Sequence, residues 1–142
     1  MRMALSSAAE APGHGDVPIG AVVVRDDEVL AVTRNERELR SDPTAHAECL
    51  ALREAALVLG GWRLLGTDVY CTLEPCPMCA GAIQQARVRR LVYGAADIKI
   101  GAAGTVLDVL RHPRLLHRVD VVGGVLASEA QALLRGFFTD RR

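Results

Sequence analysis

The sequence predicts an α/β layered domain with about five strands. Three observations carry that prediction. Apolar runs of strand length alternate along the chain with segments that are apolar at helical spacing. Gly and Pro punctuate the junctions between them. The chain has 142 residues, half of them hydrophobic, enough to build a core without disulfides or other staples. A single domain spanning residues 1–142 is expected, because no repeat, low-complexity tract or linker divides the chain.

The elements follow in order. Residues 1–10, rich in Ala, Ser and Glu, predict a short helix stopped by Pro12-Gly13. Ile19 to Val24 and Val29 to Thr33 are apolar runs separated by Asp26 and Asp27, which predicts a hairpin. From Ala45 to Leu59, the residues Ala47, Leu50, Ala51, Leu57 and Val58 recur at helical spacing. Thr44 is the predicted N-cap of that helix and Gly60-Gly61 its stop. Asp68 to Leu73 reads as a strand, and Cys79 to Arg87 as a helix that begins at or just before the Cys76-Pro77-Met78-Cys79 motif. Leu91 to Tyr93 is a further strand core, followed by a Gly/Ala-rich loop through Gly104, and Val119 to Val122 is the last strand. Ser128 to Phe138 closes the chain as an amphipathic helix, with Leu133, Leu134, Phe137 and Phe138 on its apolar side.

No apolar run approaches the roughly 18 residues of a membrane span. The first ten residues lack the apolar centre of a signal peptide. A cytoplasmic protein without membrane contact is therefore expected. In that setting the four cysteines, two of them in a CxxC, point to metal or redox chemistry rather than disulfides. The formal net charge is zero, but residues 1–86 carry a net −5 and residues 87–142 a net +5. Every cation except Lys99 is an arginine, the side chain suited to forked phosphate contacts and to stacking. Taken alone, a balanced total favours an ordinary solvated surface.

Two segments hold the chemistry: Thr44-Ala45-His46-Ala47-Glu48 and Leu73-Glu74-Pro75-Cys76-Pro77-Met78-Cys79. Each enters a predicted helix, where the positive end of the macrodipole favours thiolate over thiol. His46, Cys76 and Cys79 form a ligand set that suits Zn²⁺, and three protein ligands leave the fourth tetrahedral position open, as in catalytic sites. Residues two apart on a regular helix point nearly opposite ways. His46 and Glu48 can therefore share a site only if His46 sits at the helix entry. A carboxylate there could move protons between water and a substrate. The alternative is a closed Cys₃His site completed by Cys49, which gives Glu48 no purpose and offers no reason for the Pro75-Cys76 pairing. His-x-Glu together with Pro-Cys-x-x-Cys is the signature of zinc nucleobase deaminases.

Beyond that signature, the chain resembles the bacterial tRNA-specific adenosine deaminases of the cytidine-deaminase-like superfamily. The resemblance runs over about residues 17–142. It rests on Asp42-Pro43-Thr44-Ala45-His46-Ala47-Glu48, Thr72-Leu73-Glu74-Pro75-Cys76, Met78-Cys79-Ala80-Gly81-Ala82 and Gly101-Ala102-Ala103-Gly104. Asp108-Val109-Leu110, His112-Pro113, His117-Arg118-Val119 and the ending Leu133-Leu134 through Phe137-Phe138 to Arg141-Arg142 extend it. Pro77, Glu36 and Ala130 depart from the residues usual in the family.

The resemblance implies a three-layer α/β/α fold with a mixed sheet and helices on both faces. It also implies one Zn²⁺ per subunit on His46, Cys76 and Cys79, with Glu48 as proton shuttle. Zinc-activated water would attack C6 of adenine, ammonia would leave, and inosine would form at the wobble position of an arginine tRNA. Asn35, Ala47, Asp97, Lys99, Phe137, Phe138 and Arg142 fall on the substrate side, the partner being the tRNA anticodon stem-loop. Family members are homodimers. A free-base or nucleoside deaminase of the same superfamily and a non-catalytic RNA-binding zinc module are the competing readings.

Overall fold

Residues 1–141 are described by a computed structural model in which a five-stranded mixed sheet separates two layers of helices. Strands β1 (Gly20–Arg25) and β2 (Glu28–Arg34) form the expected hairpin. Asp26 and Asp27 take φ of 51° and 63°. That is the left-handed geometry of a two-residue turn matched to strand twist, which Asp tolerates better than most side chains. Strand β1 also pairs antiparallel with β3 (Asp68–Leu73). Strands β4 (Arg90–Ala95) and β5 (Asp120–Val122) add in parallel, so the order is β2-β1-β3-β4-β5.

Helix α1 (Arg2–Ala8) lies on β1 and β2, and helix α5 (Ala127–Asp140) on β4 and β3. Helices α3 (Ala47–Leu59) and α4 (Pro77–Gln85) pack on each other over the opposite face. The period-2 alternation of a strand explains how β1 serves both layers. Ala21 and Val23 join the core with Ala51, Ile83 and Leu91, whereas Gly20 faces α1. A side chain at position 20 would overlap the backbone of Ala4 and Ala8, so only glycine lets α1 lie this close.

Several boundaries differ from expectation. Helix α1 ends at Ala8, and Pro12-Gly13 lies inside a separate 3-10 turn, Ala11–His14. Thr44 is not the cap of α3, which begins at Ala47 with His46 in the cap position. Both the backbone N–H and the hydroxyl of Thr44 bond Asp42 Oδ1, each at 2.8 Å, a local turn that withdraws Thr44 from the helix. On α3 the buried stripe runs through Glu48, Ala51, Leu52 and Ala55, so Leu57 and Val58 face outward. On α5 Ala130 is buried while Leu133, Leu134 and Phe137 are half-buried. Phe138, at the edge of that stripe, is 52% exposed.

A four-residue helix, α2 (Arg37–Arg40), has no precursor in the sequence pattern. Its N-terminus is capped from a distance: buried Asp16 accepts from the backbone N–H of Glu38 at 2.7 Å and of Leu39 at 3.1 Å. His14 Nδ1 donates to the same carboxylate at 2.7 Å. Local propensity cannot reveal a cap supplied 22 residues upstream.

Candidate metal and substrate site

The two chemical segments meet where α3 and α4 begin. His46 is the cap residue of α3, with extended φ/ψ of −71° and 151°, and Cys76 is the cap residue of α4, at −70° and 172°. Pro77 occupies the first helical position of α4, where its missing N–H costs nothing. The extended backbone at His46 turns its ring toward the side on which Glu48 already lies, which resolves the i, i+2 problem. His46 Nδ1 stands 3.6 Å from Cys76 Sγ and 3.4 Å from Cys79 Sγ. The ligand atoms of His46, Cys76 and Cys79 all lie within 4.8 Å of one another. Tetrahedral Zn²⁺, with bonds of about 2.3 Å to sulfur and about 2.0–2.1 Å to nitrogen, holds S and N about 3.6 Å apart. The donor set fits that ion in chemistry and in spacing.

Cys49 does not complete a fourth corner. Its Sγ is 3.6 Å from Cys79 Sγ, yet it falls outside the cluster whose atoms lie within 4.8 Å of one another. It faces instead a groove of about 580 Å³ between α3 and α4, lined also by Leu52, Ala56 and Trp62. Cys71 is fully buried on β3, and desolvation pushes its thiol well up.

The electrostatics separate the cluster's roles. The hydrogen bond from Cys79 lowers the Cys76 thiol to about 4 against the opposing effect of burial, and His46 adds a smaller lowering. Hydrogen bonding to Cys49 and Cys76, together with burial, pushes Cys79 up. The bond to Cys76 raises His46. Glu48 is buried, its Oε2 lies 3.4 Å from Cys79 Sγ, and desolvation raises its carboxyl above the usual carboxylate range. A buried carboxyl with a raised pKa holds a proton more readily than a solvated one, which suits it to carry a proton between water and a substrate.

Next to the cluster lies a cavity of about 140 Å³. His46, Ala47, Glu48 and Cys76 line it together with Asn35, which reaches it from the end of β2. Asn35 is held at both ends: its Nδ2 donates to Val17 O at 3.3 Å and its Oδ1 accepts from Arg37 N at 3.1 Å. Asp97 and Lys99 lie on the loop after β4, and Ile100 from the same loop lines the cavity. Asp97 is turned inward on its own loop, its Oδ1 accepting from Lys99 N at 2.9 Å and Ile100 N at 3.2 Å, whereas Lys99 is exposed. Phe137 lies apart, in a cleft of about 350 Å³ between α1 and α5 that also includes Pro18, a neighbour of the cavity residues Val17 and Ile19. Arg141 stacks on Phe137 at 4.1 Å, and Phe138 meets it edge-on at 5.2 Å. Arg142 lies outside the described residues.

Sequence reasoning missed Val17, Ile19, Arg37, Leu73, Glu74 and Ile100 as cavity residues. Glu74 had a signal, a carboxylate between an apolar strand and Pro75-Cys76. The others had none: Val17, Ile19, Leu73 and Ile100 look like any apolar residue until the chain is folded, and Arg37 sits on the short helix α2 that no sequence pattern predicts. Two arginines of the basic half are also committed elsewhere: Arg89 and Arg90 both pair with Asp68, at 3.0 and 2.8 Å.

The model of the MafB19-like deaminase family matches residues 1–142. A tRNA-specific adenosine deaminase of Bacillus subtilis (strain 168) is 46% identical over 142 residues, covering all of this chain and 88% of that protein. One from Haemophilus influenzae is 45% identical, covering all of this chain and 83% of that one. Among solved structures, one from a study of A-to-I editing by tRNA deaminases at the wobble position of transfer RNA superposes with a TM-score of 0.91 at 46% identity. It covers 94% of this chain and 97% of that one. A guanine deaminase from Nitrosomonas europaea superposes at 0.79 with 26% identity, covering 97% and 83%. With the expected α/β/α layering, a family model that matches the whole chain and full-length identity of this order, the chain belongs to the MafB19-like deaminases and to the tRNA-specific adenosine deaminase family.

Proposed function

We propose that this chain, acting as one zinc-dependent domain, converts adenosine to inosine at the wobble position of a tRNA anticodon, that of an arginine tRNA. The observation that carries the reading is the juxtaposition of His46, Cys76 and Cys79 at two helix entries with the buried carboxyl of Glu48. His46, Cys76 and Cys79 would hold Zn²⁺, which when bound supplies the Lewis acidity that makes water a nucleophile near neutral pH. Glu48 takes the proton of the attacking water and delivers it to N1 of adenine. The water oxygen bonds to C6, its remaining proton passes through Glu48 to the amino group, and the C6–N bond breaks to release ammonia, so adenosine and water become inosine and ammonia. Asn35, fixed at both ends, orients the base against Ala47 at the cavity wall. A base inside this cavity must be extruded from its neighbours, and the cleft that holds Phe137 and Arg141, with Phe138 exposed at its side, offers a stacking surface for flanking nucleotides. Lys99, exposed on the loop whose Ile100 lines the cavity, adds a cation on that side.

A homodimer fits the outward apolar side of α3 and the following turn, where Leu57 and Val58 are exposed and Trp62 lines the α3–α4 groove. Among the described residues no helix is long and apolar enough to cross a membrane; a cytoplasmic location is part of the tRNA reading.

The test is deamination of an anticodon stem-loop with adenosine at the wobble position, with free adenosine, cytidine and guanine run beside it. Inosine in the loop alone is expected. Turnover of a free base with none in the loop transfers the site to the free-base reading. Glu48→Gln is expected to keep its zinc and lose at least about 100-fold in rate, the usual share of a positioned proton carrier.

A further inference from the structure

The residue before Pro75-Cys76 is unlike its surroundings. Glu74 is 2% exposed, at the end of β3, and its carboxylate does not belong to the metal-ligand cluster. Among the described residues, every hydrogen-bond partner of the carboxylate lies on one segment, residues 97–105. Oε1 accepts from the backbone N–H of Asp97 at 3.2 Å and from the hydroxyl of Thr105 at 2.5 Å. Oε2 accepts from the backbone N–H of Ala103 at 3.0 Å and of Thr105 at 3.1 Å. A carboxylate offers about four lone-pair sites. Here four donors occupy them, which leaves none for substrate or metal. The close approach requires glycine at position 101, where a Cβ would stand 2.5 Å from the Glu74 carboxyl. Next to this contact, Ala102 N donates to Pro75 O at 2.9 Å, so the loop is tied to both residues preceding the ligand Cys76.

We propose that Glu74 is a positioning residue that holds the 97–105 loop, with Asp97, Lys99 and Ile100, in register against the cavity, so that the turn that presents Cys76 also sets the substrate-side wall. The proposal rests on the tRNA reading for the identity of the substrate. Buried acceptors on a charged group form stronger bonds than neutral ones, and a carbonyl or amide cannot replace both oxygens. In Glu74→Gln the new amide donors face backbone N–H donors whichever way the side chain turns. The loop loses at least one attachment while the cluster of His46, Cys76 and Cys79 keeps its own geometry.

The experiment uses the zinc-loaded full chain, wild type beside Glu74→Gln and Thr105→Val. The variant Glu74→Gln is expected to retain its zinc stoichiometry and to keep kcat within about threefold. KM for the stem-loop is expected to rise on the order of tenfold, the loss of a hydrogen bond to a charged acceptor. Amide exchange at Ala103 and Thr105 accelerates in parallel. Thr105→Val, which removes one donor of four, shifts KM and exchange the same way by a smaller factor, and it decides the matter if Glu74→Gln does not fold. A fall in kcat or in zinc content with KM unchanged overturns the proposal, as does unchanged exchange at Ala103 and Thr105. If the wild type fails to deaminate the stem-loop, the tRNA reading falls, and the exchange data alone still decide whether Glu74 holds the loop.

Discussion

The long-range cap at Asp16 gives the most quantitative test of the fold beside the site. Burial alone pushes the Asp16 carboxyl up, but the backbone N–H groups of Glu38 and Leu39 and the His14 side chain together bring it below the ordinary carboxylate value. Asp16→Asn keeps the shape, removes the charge and turns one amide donor toward those N–H groups. Losing one charge-assisted bond and stranding a buried donor costs about 3 kcal/mol. For a chain of this size that is a drop of roughly 10 °C in Tm. The sign with pH follows from the depressed native pKa. The stabilisation is fully present above the unfolded-state value and is lost as pH falls through the lower folded value. The wild type should therefore lead Asp16→Asn by its full margin at pH 7 and 5, and the gap should shrink only from about pH 4 downward. Paired thermal denaturation series at pH 7, 5, 4 and 3 measure it. A gap that stays constant down to pH 3, or that is under about 2 °C at pH 7, would refute the reasoning, since the bonds of a charged acceptor are its only source.

The remaining predictions concern the site. Cys49→Ser and Cys71→Ser should both retain the zinc content of the wild type by metal analysis. Cys71→Ser should also lose about 1–2 kcal/mol in denaturant unfolding, because its hydroxyl enters a fully buried position. Chelation should abolish deamination and added Zn²⁺ restore it, with a lower Tm for the metal-free chain, since an ion bound only by the folded state stabilises it. Arg141→Ala should weaken stem-loop binding and reduce the slope of log K against log salt by about one. An unchanged slope would remove Arg141 from the interface.

The strands were legible because burial on both faces leaves a short continuous apolar run. Val22 and Val23 on β1, and Leu91 and Val92 on β4, are buried on alternate sides, and a sheet covered on both faces must be apolar at both. The site was legible for a different reason. Metal chemistry restricts residue types so severely that His46, Glu48, Cys76 and Cys79 stand out as types before any geometry is known. The helix faces were less legible. Val58 repeats the spacing of Ala47 and Ala51, yet only the placement of α3 on β1 and β2 decided that Leu52 and Ala55 are buried and Leu57 and Val58 exposed.

By itself, then, the sequence determined the strand-and-helix alternation, the ligand set and the requirement that His46 stand at a helix entry, all set by local periodicity or by chemical type. Only the tertiary structure decided that Asp16 caps α2, that Thr44 turns to Asp42 instead of capping α3, that Cys49 stays outside the ligand cluster, and that Glu74 holds the loop beyond β4. The physical reason is shared by the three buried or half-buried polar groups among these. Once removed from water, Asp16, Cys49 and Glu74 take whatever partner the folded chain brings within about 3–4 Å. For Asp16 and Glu74 that partner lies more than 20 residues away, where no pattern along the chain can record it.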